Sequence, residues 1–148
     1  MDPTSISEGI QLALAPVFLL TAVANLVSAL TQRLSRVVDR SRFLQSELAD
    51  EPGLSDARQK SYENELGDLT RRGWLINISM AFVVICGLMI GLTVLELFYS
   101  ETVSGKVQFS KLVLTTFVTG IGSFLLALLL LLTEVLVASY SIRWKHPG

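Results

Sequence analysis

Three apolar runs separated by polar stretches dominate the chain. Ile10 to Leu30, Trp74 to Phe98 and Leu112 to Tyr140 hold almost none of the charged residues. At about 1.5 Å per residue, each can cross a hydrocarbon core of about 30 Å. The pattern predicts an all-α membrane protein with three transmembrane helices. The first run passes into a second pattern with no Gly or Pro to stop it. From there, Leu30, Leu34, Val37, Ser41, Leu44 and Leu48 follow a 4-3-4-3-4 spacing, a coiled-coil seam with one polar insertion. Asp50-Glu51-Pro52-Gly53 then forms a helix stop and turn. Ser55 or Asp56 caps a returning helix, whose seam is thinner: Tyr62, Leu66, Leu69, Gly73 and Ile76. Residues 31–73 are thus expected to fold as a cytoplasmic antiparallel helical hairpin, within a single membrane domain covering 1–148.

Irregularities within the runs mark where helices meet. Pro16 removes a backbone donor and crowds the carbonyl of Leu12, so a kink is expected there. Asn25 places an amide in the inner half of the first span, where it should seek a partner on another helix. Gly87 and Gly91 form a small-xxx-small pair, and Gly120 and Gly122 form a second small patch beside Ser123. Such positions let helix backbones approach closely. A short loop, Ser100 to Phe109, turns at Gly105. The hairpin has few apolar residues for its length, and neighbouring copies are expected to complete its packing. Together these features predict a homo-oligomer.

Composition agrees with a membrane protein. The chain is 51% hydrophobic and 17% charged, with a mean hydropathy of +0.54. The distribution of charge carries more than its net value of −1. Arg33, Arg36, Arg40, Arg42, Arg58, Lys60, Arg71, Arg72, Arg143 and Lys145 fall on one side of the predicted spans, and only Lys106 and Lys111 on the other. Ten against two places the hairpin and C-terminus in the cytoplasm and the N-terminus outside. The N-terminal stretch has Asp2 and Glu8 but no basic residue, so the first run is read as a retained span rather than a secretory signal. Cys86, the single cysteine, is expected to be an inert packed thiol.

Ala15-Pro16-Val17-Phe18-Leu19-Leu20, Arg33-Leu34, Arg36, Asp39-Arg40 and Arg42, with three spans around a basic hairpin, resemble the small bacterial membrane proteins of the DUF2721 family. The resemblance implies a prokaryotic inner-membrane protein, with cyanobacterial or proteobacterial relatives. It implies no activity, and it supplies no functional residues.

Candidate chemistry is sparse. Glu134 lies in the third span, ten residues before Trp144. An ionisable group within a span is costly and faces protein or water. Counted from Trp144 it lies about 15 Å from the inner interface, and Asn25, counted from Arg33, about 12 Å. Matching depth predicts an Asn25–Glu134 polar pair, within or between protomers. One reading makes Glu134 a proton or cation site, and the other makes it a structural lock. Glu96 is expected to be a solvated span end near Gln11. Arg33, Arg36, Arg40 and Arg42 form a basic stripe that marks topology, holds anionic lipid or lines a vestibule. Nucleic acid is not an expected partner, because eight basic residues in the hairpin region meet eight acidic ones. No catalytic, cofactor-binding or metal-ligating constellation stands out, and His146 is the only histidine. The sequence therefore predicts a self-assembling, non-enzymatic membrane protein: an ion channel or pore with basic hairpins at its mouth, or a scaffold docking a protein or anionic lipid.

Overall fold

The computed structural model describes the backbone of residues 3–50, 55–102 and 106–143, and side-chain surroundings at 11, 14–50, 55–99 and 111–139. The expected turns at Pro52-Gly53 and Gly105 lie outside the described residues. So do the side chains from Tyr140 onward, including Arg143, Trp144, Lys145 and His146. Everything described in regular structure is helix: α1 (Pro3–Asp50), α2 (Asp56–Thr102) and α3 (Lys106–Arg143).

Each helix extends past the apolar run that seeds it. α1 joins the first span to the polar stretch after it, and α2 joins the returning stretch to the second span without a break at Arg71–Gly73. Gly73 is tolerated inside α2; a Cβ there would meet Val37 at an ordinary 3.6 Å. The carbonyl of Ser55 accepts the amides of Arg58 (2.8 Å) and Gln59 (3.1 Å). The helix starts at that point, with Asp56 in its first turn, where a carboxylate favours the positive end of the dipole. Pro16 is buried, and α1 continues through it. At 48 residues α1 is about 72 Å long, more than twice the thickness of a hydrocarbon core.

The buried positions show how one stripe of each helix is selected. On α1 they are Pro16, Val23, Leu30, Val37 and Leu44, every seventh residue. On α2, Leu69, Ile76, Ser79, Val83, Cys86, Ile90 and Thr93 are separated by one seven and then by alternating threes and fours. Those intervals return to the same face of a helix. Leu34, Ser41 and Leu48, the other half of the seam read from the sequence, are half-buried.

The chain divides into two units, and each helix contributes to both. The first comprises residues 1–28 and 81–127. Its helix contacts are made by small residues. A Cβ on Gly120 would lie 3.1 Å from Ile90 Cδ1 and 3.2 Å from Met89 Cβ, and one on Gly87 would touch Val23 at 3.4 Å. Gly91 and Gly122 have open space beside them, so the two expected small patches divide into one contact glycine and one open glycine each. Phe18, Leu88, Leu95, Phe98 and Leu114 are exposed, and apolar surface so extensive marks contact with lipid or protein. Thr93 is buried, and its hydroxyl lies 2.8 Å from the Met89 carbonyl and 3.2 Å from the Thr116 hydroxyl. Thr116 donates to Glu96 Oε2 at 2.7 Å. Glu96, expected to be a solvated span end, is therefore half-buried and held by α3.

The second unit comprises residues 29–80 and 128–148. Here α1 and α2 run antiparallel. Arg40 pairs with Glu65 at 2.8 Å, and Val37 approaches Gly73. Ser79, buried in α2, returns its hydroxyl to the Leu75 carbonyl at 2.9 Å. This satisfies a polar group that would be costly to bury unpaired.

Candidate functional site

The chemistry of the second unit gathers around Glu134. Reflection about Pro52-Gly53 places Arg72 opposite Arg33, as it places Glu65 opposite Arg40. Two guanidinium groups at one level would repel each other. Glu134 of α3 enters between them. Its Oε2 accepts from Arg33 Nη1 at 2.7 Å. Its Oε1 accepts from Arg72 Nε at 3.1 Å and Arg72 Nη2 at 3.0 Å. The carboxylate side chain is 1% exposed, whereas Arg33 and Arg72 keep 41% and 30% of theirs. The buried anion is thus fully partnered, while the cations retain access to water and to further ligands.

Within the chain, the partners of Glu134 are Arg33 and Arg72 rather than the expected Asn25. Both carboxylate oxygens are held by arginines, and Asn25 is exposed. α3 runs on past Glu134 to Arg143, and the residue level with Glu134 on α1 is Arg33. Asn25 lies eight residues, about 12 Å, further along α1.

Beside the ion pairs is an open groove of about 400 Å³ lined by Arg33, Arg36, Arg40, Arg72 and Glu65 over Val37 and Leu69. Arg40 is oriented twice, by Glu65 and by the Phe43 ring, whose centroid lies 5.4 Å from its Cζ. The hydrogen bond to Glu65 raises the pKa of the Arg40 guanidinium, a group that is always charged. The expected basic stripe is divided. Arg42 lies two residues from Arg40, about 200° around the helix, and lines a separate groove of about 370 Å³ with Leu34, Val38, Thr70 and Asn77. Arg72, read from the sequence only as one of the ten basic residues on one side of the predicted spans, takes the fourth place in the first groove. The signal for it was the reflection about Pro52-Gly53. Among the described residues, no three His, Cys, Asp or Glu side chains gather as metal ligands would.

Three helices long and apolar enough to cross a membrane, with apolar side chains on their outer faces, define a multi-pass membrane protein. The chain belongs to the DUF2721 family, described as proteins of unknown function, whose model matches residues 13–144. No curated protein and no solved structure matches it.

Proposed function

We propose that this protein is a non-enzymatic membrane scaffold of the prokaryotic inner membrane, with the antiparallel stretch of α1 and α2 standing in the cytoplasm as its docking element. The observation that carries this reading is the double ion pair at Glu134. A carboxylate on a proton or cation pathway needs an oxygen that can exchange its partner; both oxygens of Glu134 are held by guanidinium groups. The arrangement is that of a strut joining three helices. The ten-to-two distribution of Lys and Arg supports the cytoplasmic placement.

The scaffold is proposed to self-assemble. Gly91 and Gly122 offer open small faces, and Asn25 is an exposed amide within an apolar stretch, where a partner on another copy would satisfy it. Self-assembly also keeps a pore as the second reading, with the arginine groove at its mouth. Ion flux through reconstituted protein separates the two. Tight liposomes containing correctly inserted protein are expected. Flux that changes in Glu134→Gln would overturn the scaffold reading and establish the pore.

A further inference from the structure

The arginine groove is built as a binding site, and its unopposed charge identifies what it takes. Four guanidinium groups, from Arg33, Arg36, Arg40 and Arg72, face two carboxylates, Glu65 and Glu134. Among the described residues that line the groove, two positive charges remain. The donors also remain. A guanidinium has five N–H groups; Arg33 engages Nη1, Arg72 engages Nε and Nη2, and Arg40 engages Nε. Among the described residues, Arg33 Nε and Nη2, Arg72 Nη1 and both Nη atoms of Arg40 are left, with the whole of Arg36. The ion pairs and the Phe43 ring hold three of the four side chains in place before any ligand arrives, which lowers the entropy cost of binding. The floor, Val37 and Leu69, is apolar.

We infer that this groove binds the phosphate headgroup of an anionic phospholipid. Guanidinium groups recognise phosphate oxygens by paired, charge-assisted hydrogen bonds. The position favours a lipid over a free anion: Arg33 follows the first apolar run and Arg72 precedes the second, and the apolar floor suits the glycerol and first methylenes of a chain. Arg36 and Arg40 contribute charge without holding Glu134, so they can be removed while the strut is kept. The inference rests on the cytoplasmic placement proposed above, but not on whether the protein conducts.

The test is native mass spectrometry of the protein released from phosphatidylcholine nanodiscs containing a minority of phosphatidylglycerol, counting retained phosphatidylglycerol. The groove variant is Arg36→Gln with Arg40→Gln. The control is Arg42→Gln with Arg58→Gln, which removes equal charge outside the groove. Thermal unfolding of both, close to the parent's, establishes that they are folded. Retention is expected to fall about tenfold or more in the groove variant and to stay near the parent's value in the control. Equal loss in both variants would reduce the effect to general surface charge and overturn the inference, as would unchanged retention in the groove variant. Inorganic phosphate that displaces the retained lipid at millimolar concentration would overturn the lipid assignment in favour of a free phosphate. A leak-tight protein that retains no lipid sinks this inference alone; a conducting protein that retains it sinks only the scaffold.

Discussion

Glu134 carries more of this structure than any other side chain, because its removal exposes a conflict as well as losing a contact. Glu134→Ala would leave Arg33 and Arg72 facing each other at one level. Breaking a buried ion pair by deleting one partner costs about 3–5 kcal/mol. The arginines are partly exposed, so a smaller loss, about 1–3 kcal/mol, is expected, read as a lower unfolding temperature in detergent. Arg72→Gln should be worse than Arg33→Gln, since Arg72 makes two of the three hydrogen bonds. Replacing all three together, Glu134→Leu with Arg33→Met and Arg72→Met, should be milder than Glu134→Ala alone, because no unpaired charge is then left. If the triple variant is the least stable of the set, the strut does more than neutralise its own members. From the sequence Glu134 stood out as an ionisable group in an apolar run, but its partners did not. Depth alone points to Asn25, whereas opposite charge decides the contact within the chain.

At the scale of the element, the glycines separate two roles that their spacing cannot. A side chain at Gly120 would press on Met89 Cβ at 3.2 Å, an atom fixed to the α2 backbone, so α2 and α3 would have to move apart. Gly120→Val is expected to cost about 1–3 kcal/mol of stability in the isolated chain. Gly122 has open space beside it. Gly122→Ala should be neutral or slightly stabilising there, by up to about 1 kcal/mol. Under self-assembly, Gly122→Leu lowers the subunit count seen by native mass spectrometry in nanodiscs while the monomer stays folded. An unchanged count would remove Gly122 from any interface. Helix identity was legible from apolar spacing; of the six seam positions, Leu30, Val37 and Leu44 are buried and Leu34, Ser41 and Leu48 half-buried. The spacing of Gly87 and Gly91 was equally legible, yet only the neighbouring helix could show that a Cβ on Gly87 would meet Val23 and one on Gly91 nothing within 4 Å among the described residues.

For the whole molecule, the central question is which ends of the long helices are in water. The cytoplasmic placement is tested with single cysteines in a Cys86→Ser background. Ala57→Cys, at the start of α2, is expected to resist a membrane-impermeant thiol reagent in intact cells and to react after lysis. Lys111→Cys, near the start of α3, is expected to react in intact cells. The reverse pattern would invert the topology and move the arginine groove to the outer face, where the scaffold reading would lose its docking side.

The sequence by itself determined three apolar helices, the ten-to-two bias of Lys and Arg to one side of the predicted spans, and the apolar positions that recur along α1. Each of these follows from the local chemistry of one stretch: hydropathy, charge count and helical periodicity. Tertiary structure decided which groups share a site. Arg72 joined Arg33, Arg36 and Arg40 while Arg42 turned to another groove, because groove membership depends on helix rotation and on the register of a second helix. Glu134 found two arginines rather than an amide, because a buried carboxylate is most stable where opposite charge and donors meet it, and that place was set by three helices together.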